Sequence, residues 1–595
     1  MSDRIEAALA KARGRLLDEM LAEGYWEGHL SSSALATATA VSALSLAALP
    51  EDRRLIAAGV RWLTETQNSD SGWGDTTDSP SNLATTLLAT AALKFARPIG
   101  DDEPNPAEAL TRANDYVARH AGRAQDDVIA AAVRQAYGED RTFAVPILVS
   151  CALAGMVPWE AIPPLPFELA ALPRSWYRAL RLHVVSYALP ALVGVGMLLH
   201  RMNPPRSPIA RGMRSAATGP ALRRLAAVQP ANGGFLEATP LTSFVTMSLV
   251  PVVGPRHPVV ERCLRFIRAS MRRDGSWPID TNLSVWVTTN AVSALAASGG
   301  VPEQVARRVR PWLLDRQYRR PHPFTGAAPG GWGWTHLEGG VPDADDTSGA
   351  LLALAALRGQ GADGEALNAF MRGARWLVGL RNADGGWPTF CRGWCKLPFD
   401  QSCPDITAHA LMALSAVGEM ADHPSLARLA QINIQRMVPA PMRYLQREQC
   451  ADGSWLPLWF GNQYAPRHEN PVLGTARVLQ ALARLQPEGE MAARGIGYLL
   501  SAQAADGGWG GAEAVTPTVE ETARAVIGLS GWSAREDVAQ AIERGAGWLA
   551  DHVLEDRWTE ASPIGLYFAR LWYAESMYPM AWTVEALGHV AGANL

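Results

Sequence analysis

Arg381-Asn382-Ala383-Asp384-Gly385-Gly386-Trp387 is the stretch on which the fold of this 595-residue chain turns. A helix-like run ending in Trp376-Leu377 leads into it, a polar turn follows, and a tryptophan is set after two glycines. The same order recurs along the chain. QNSDSGW ends at Trp73, RRDGSW at Trp277, QREQCADGSW at Trp455 and SAQAADGGW at Trp509. Weaker copies are QPANGGF at Phe235, PGGW at Trp332 and EDRW at Trp558. From Trp277 onward the intervals are 55, 55, 68, 54 and 49 residues, enough for two helices and their connections.

The segments between the turns alternate in kind. TSGALLALAALRG is uncharged until its end and reads as an inner helix, whereas the runs ending Trp62-Leu63, Trp312-Leu313, Tyr444-Leu445 and Trp548-Leu549 are amphipathic and read as outer ones. Asp-Gly and Asn-Gly supply the turn. A Gln before it can satisfy a free helix-terminal group while the Trp covers the next unit. Strand-like alternation is nearly absent, so the chain reads as all-α. Helix pairs curving into a closed ring give an α/α barrel with a central cavity; an open solenoid with a concave binding face satisfies the same period. Spacing tightens near residues 270–280, where a domain change is expected. The Pro- and Arg-rich run RMNPPRSPIARGMRSAATG, from Arg201 to Gly219, reads as a surface loop or a membrane-facing entrance.

Composition narrows the function classes. Hydrophobic residues at 48% and charged residues at 19% describe a globular chain, and a net charge of -4 without a long basic run leaves no footprint for nucleic acid. Six cysteines are too few for a disulfide scaffold. The first twenty residues read as a charged amphipathic helix, not a leader peptide. The longest uncharged apolar run, Val184 to Leu199, is 16 residues long and carries Pro190. A span needs about 20, so this reads as a buried core helix.

Pro342-Asp343-Ala344-Asp345-Asp346-Thr347-Ser348 precedes an apolar helix. One Asp there caps the helix and complements its dipole. Three exceed what capping needs. Clustered carboxyls cannot all ionise cheaply, so a proton is held, and beside an apolar cavity that proton is a strong general acid. Asp clusters also hold magnesium with diphosphates, but no second acidic motif sits in a convincing helical setting.

Gly-Trp repeats together with PDADDTS resemble the squalene-hopene cyclase branch of the class II terpene cyclases, over nearly the whole chain. The resemblance implies two α/α barrels, here taken as residues 15–275 and 276–595, with a leading helix 1–14 against the second. It implies a buried hydrocarbon cavity, monotopic attachment to the cytoplasmic side of a membrane, and a homodimer as one assembly open to it. No cofactor and no metal is expected. The middle carboxyl, Asp345, flanked by Asp343 and Asp346, would protonate the terminal alkene of a polyprene, squalene first among them. Pro404-Asp405-Ile406-Thr407-Ala408-His409 resembles the segment carrying the acid's histidine partner, so His409 would orient the proton and Asp405 would hold His409. Trp286, Trp334, Phe390 and Trp459 match aromatic positions of the family cavity, with Tyr187, Tyr567 and Tyr573 as further lining; their π faces would stabilise the cation where water must be excluded. Relatives often carry acids in the first inner helix, where Thr37 and Thr39 stand here, so the product skeleton is open.

Cys391, Cys395 and Cys403 with His409 could hold zinc, but the spacing lacks a paired knuckle and small packing residues are the simpler reading. A zinc prenyltransferase-like barrel, a non-catalytic toroid, and a cyclase of a prenyl diphosphate or prenylated aromatic are the alternatives.

Overall fold

Helices of Ala, Leu, Thr and Val with almost no charge, such as ALATATAVSALSLA over Ala34–Ala47, can fold in water only if covered on all sides. The computed structural model of the chain describes residues 2–96, 105–121, 126–138, 141–172, 176, 187, 189–358, 364–392, 397–418, 420, 435–486, 488–565 and 571–593. In it such helices form two rings. α1 (Ala34–Ala47), α2 (Leu83–Phe95), α3 (Arg141–Leu153), α4 (Leu189–Met202) and α5 (Thr239–Val253) touch in order, and α5 returns to α1. α6 (Ser284–Ala297), α7 (Ala344–Ala356), α8 (Pro404–Ser415), α9 (Pro471–Leu485), α10 (Val519–Leu529) and α11 (Met577–Gly592) do the same, α11 closing on α6. Amphipathic helices such as Arg53–Glu65, Gly364–Leu380 and Glu490–Ala502 wrap the outside. The protein is all-α, with two α/α barrels. The leading helix, Ser2–Asp18, packs against Glu536–Leu554 and α11 of the second ring.

The Gly-Trp turns stitch the rings. Each indole N–H donates to a carbonyl at the end of the preceding outer helix: Trp73 to Leu63, Trp277 to Ile267, Trp387 to Leu377, Trp455 to Leu445 and Trp509 to Leu499, at 2.7–2.8 Å. Each backbone N–H of these tryptophans donates to a threonine in an inner helix: Thr86, Thr37, Thr407, Thr475 and Thr522, at 2.9–3.0 Å. Trp332 follows the pattern across a longer turn, bonding Leu313 and Thr347. Phe235 keeps the backbone bond, to Thr242, and has no indole to make the other. The Gln before the turn bonds the turn and then a carbonyl near the start of the next outer helix, as Gln449 does with Gly453 and Met491. It therefore links neighbouring units and does not finish its own helix.

Three expectations change. Trp26 is a further copy, bonding Leu16 and Thr288, in a turn without Asp-Gly. The run from Arg201 to Gly219 is no loop beyond Ser207. Pro208–Val228 is a helix with Pro208 at its first position, where the missing N–H costs nothing. Pro190 likewise sits in the first turn of α4 and starts that buried helix instead of interrupting it. Among the described residues, strand pairing is limited to Trp387–Pro388 against Ser402–Cys403 and isolated bridges.

Four of the indoles lie on a glycine of a neighbouring outer helix: Trp277 on Gly59, Trp332 on Gly373, Trp455 on Gly495 and Trp509 on Gly545. A Cβ at Gly495 would stand 2.8 Å from Trp455. Gly495→Val is expected to destabilise the protein by about 1–3 kcal/mol through overpacking. A urea unfolding midpoint unchanged from the parent would contradict this.

Candidate active site

Counting from the stitching threonines locates the site. Two residues before them stand Leu35, Pro240, Trp286 and Asp345, and all four line one cavity of about 310 Å³ between the rings. Four residues further on, the same helical face descends one turn. There the second ring presents Asn290, Gly349, His409, Arg477 and Arg524. Apart from Asp280, Asp343, Asp345, Asp346, Thr142 and Thr389, the cavity wall is apolar and aromatic. Trp286, Trp334, Phe390, Trp459, Tyr187 and Tyr573 all line it, as do Tyr578, Phe460, Phe399, Phe244 and Phe143. Tyr567 and Cys395 lie outside the described residues.

The aromatic side chains form one contiguous wall. Phe390 is at its centre, with ring centroids 4.5 Å from Tyr187, 5.5 Å from Trp459 and 6.1 Å from Trp334. The Trp459 indole donates to Thr389 at 2.6 Å. Tyr573 and Tyr578 hydroxyls lie 3.1 Å apart, and Tyr578 stacks on Trp582 at 4.8 Å.

Asp343 caps α7, its carboxylate accepting the Asp346 N–H at 2.8 Å, and its backbone pairs with Trp332. Burial, with the Asp345 charge added, pushes Asp343 up to about 7. Burial and then Asp343 push Asp346 well above the carboxylate range. Asp346 therefore keeps its proton at neutral pH, and Asp343 titrates close to it. Asp345 differs from both. Its side chain is 19% exposed, at the cavity, and its Oδ1 lies 2.5 Å from His409 Nδ1. Burial pushes its carboxyl up, but His409, Arg477 and Arg524 outweigh that and hold it below the ordinary range. All three carboxyls line the cavity, and Asp345 is the one that gives up its proton most readily. His409 is lowered by burial and by Arg477. It approaches over Gly349, where a Cβ would lie 3.8 Å from the imidazole.

Asp405 does not hold His409. Its carboxyl bonds the Cys403 thiol, and burial and the Asp345 charge raise it to about 6. Cys403 also accepts the Leu458 N–H, and Cys391 bonds Phe399, so both thiols act as local packing groups. Among the described residues no group of three His, Cys, Asp or Glu side chains is placed to bind a metal. Thr37 is the stitching threonine of α1, and Thr39 bonds Ala36 within its own helix. Arg477, Arg524, Tyr578 and the cavity carboxyl Asp280 were not expected. The two arginines were detectable only as charges at the second position after a stitching threonine.

Residues 9–213 match the squalene-hopene cyclase N-terminal domain and residues 283–591 the squalene-hopene cyclase C-terminal domain. The chain belongs to the squalene-hopene cyclase family. It is a divergent member and a class II terpene cyclase. The squalene–hopene cyclase of Zymomonas mobilis is 26% identical over 100% of this chain and 97% of that protein. Enfumafungin synthase of Hormonema carpetanum is 25% identical over 88% of this chain, which spans 44% of that longer protein. In fold, the chain resembles ent-copalyl diphosphate synthase from Streptomyces platensis, with a TM-score of 0.60 and 19% identity over all of both chains.

A carboxyl raised by burial keeps in the folded state a proton that the unfolded chain releases near pH 4. Its stabilising contribution is therefore complete below that pH and is lost as pH rises through the folded value, about 7 for Asp343. Asp343→Asn, which still caps the helix, should make the decline in stability between pH 5 and 7 shallower by up to about 1.4 kcal/mol per pH unit. Denaturation series at several pH values would show it, and parallel curves for the two proteins would refute it.

Proposed function

We propose that this enzyme cyclises squalene, an uncharged linear polyprene, to a polycyclic triterpene. The observation carrying this reading is the Asp345 carboxyl, paired with His409, opening onto an otherwise apolar, aromatic cavity. The Asp345 proton adds to the terminal alkene, whose π electrons form the new C–H bond and leave a tertiary cation. Each internal alkene then attacks the preceding cation, closing rings. Asp343 and Asp346 are the raised carboxyls that flank the acid. The faces of Trp286, Trp334, Phe390, Trp459, Tyr187 and Tyr573 line the path along which positive charge moves, each worth roughly 0.5–2 kcal/mol to a desolvated cation. The sequence ends by proton loss or water capture, in a hopene-like or variant skeleton. The name of the Zymomonas relative supports squalene, as does a cavity wall whose charged groups are all acidic.

The membrane reading is supported by one exposed surface. Leu169, Leu172, Trp176, Met202, Ile209 and Met213 are exposed around the helix Pro208–Val228, with Arg201, Arg206 and Arg211 beside them. No described helix is long and apolar enough to cross a bilayer. Attachment to one leaflet by this apolar, basic-rimmed face would give a hydrocarbon substrate direct access to the protein.

Incubation of detergent-solubilised protein with squalene, followed by gas chromatography–mass spectrometry, should yield a cyclic C30 product. Asp345→Asn should reduce it by at least about a thousandfold. No product from the parent chain would sink the squalene assignment. For the membrane face, Ile209→Glu combined with Met213→Glu should lower cosedimentation with anionic vesicles severalfold while leaving the helical circular dichroism intact. Undiminished binding would exclude this face as the attachment surface.

A further inference from the structure

The layer beneath the acid holds two buried arginines that the reaction as described does not use. Arg477 is 7% exposed and Arg524 2%. They stand on adjacent ring helices, α9 and α10, each two residues after a stitching threonine, at the level where α8 presents His409. Arg524 is engaged: it donates to Gln480 at 3.0 Å, lies 3.8 Å from Glu585 and sits over the Trp582 ring. Arg477 has no hydrogen-bond partner among the described residues. A guanidinium in the interior is costly, and nearby anions are what can repay it.

The surrounding charges are few. Asp343 and Asp346 lie on the acid's own helix. α8 contributes Asp405 and His409, α9 Arg477, α10 Glu520, Glu521 and Arg524, and α11 Glu585, with Tyr573 and Tyr578 at the cavity rim and Tyr444 and Cys403 beside α8. α6 carries no ionisable group. The outer helix behind α7 directs Glu365 to Arg319 and Arg372 to Gln317, away from the site. Arg477, on the ring helix that packs against α8 and at the level of His409, acts on the imidazole more strongly than Arg524 does.

We propose that Arg477 is a positioning residue of the acid, whose buried guanidinium keeps His409 unprotonated and stabilises the carboxylate that proton transfer leaves on Asp345. An imidazolium beside two guanidiniums would be a third positive charge in one dry layer, so protonation of His409 is disfavoured. Once Asp345 has given its proton to the alkene, the same cation faces a carboxylate across a neutral ring. One charge thus acts before and after the transfer, in both cases favouring donation. The argument rests on Asp345 being the acid, but its first half concerns the substrate-free protein and can be read there.

The test compares Arg477→Met, which removes the charge, with Arg477→Lys, which keeps it; Arg477→Gln replaces Met should that chain fail to fold. In substrate-free protein labelled at histidine carbons, with His409→Gln for assignment, the His409 resonance should stay in the neutral position from pH 8 to 6 in the parent and the Lys variant. In the Met or Gln variant it should move to the imidazolium position over that range, as its pKa climbs toward the ordinary value of about 6.5. In turnover, the neutral substitutions should lower kcat on the order of tenfold with little change in KM, and move the alkaline limb of the kcat profile upward because Asp345 becomes the weaker acid. Lys should restore the limb. A His409 already protonated at neutral pH in the parent, or unmoved by loss of the charge, would overturn the proposal. So would equal losses of kcat in the Lys and neutral variants with the limb in place. If squalene is not turned over by the parent, the resonance still decides the proposal about Arg477 and only the substrate reading fails.

Discussion

The structure depends on a tryptophan held at two points. Its indole N–H reaches back to the end of the outer helix before it, and its backbone N–H reaches a threonine hydroxyl on an inner helix. Neither bond is worth more than about 1 kcal/mol net, but a buried indole adds a large apolar area and leaves a costly donor if displaced. Because the same pair of bonds recurs around both rings, inner helices are set at the same height relative to their threonines. That common height turns a string of hairpins into a chamber with level floors.

The chemistry uses two of those floors. On the upper one, Asp345 shares the rim with Trp286, Leu35 and Pro240, so the acid faces hydrocarbon and rings. On the lower one, His409 and two arginines supply the polarity that an apolar chamber cannot. Burial alone would leave all three aspartates as weak, reluctant acids. The lower layer reverses that for one of them and leaves Asp343 and Asp346 raised beside it. The distinction is one of position. Asp343 and Asp346 are the more deeply buried, and Asp345 is the one that meets His409.

Much of this was legible in the sequence, for reasons that can be named. The Gly-Trp turns advertise themselves because an Asp-Gly corner and a large aromatic have few other uses together, and uncharged helices alternating with amphipathic ones demand concentric layers. The acid was legible because three carboxyls exceed what a helix cap needs. Trp26 escaped because its turn lacks the Asp-Gly corner, although it stands ten residues after Leu16, the interval shared by Trp73 and Leu63. The helix from Pro208 escaped because proline and arginine density suggests a loop until Ser207 is recognised as its cap. Asp405 stands four residues before His409, a spacing at which side chains on one helix can meet, but its carboxyl is taken by the Cys403 thiol instead. Arg477 and Arg524 were invisible as site residues because an arginine among alanines looks like the wet face of a helix. Only the closed ring turns that face inward.

Thr347 belongs to both halves of the molecule. It accepts the Trp332 N–H as every stitching threonine does, and it is the residue that ends the run of aspartates. The acid's place is therefore an address counted from a structural stitch, not a loop shaped for one purpose. Asp405 and Glu520 hold the same address on α8 and α10, two residues before Thr407 and Thr522. A fold of this kind carries a dial of equivalent seats around one rim, and moving the acid from seat to seat would rotate the point at which a chain of alkenes is first attacked without rebuilding the chamber around it.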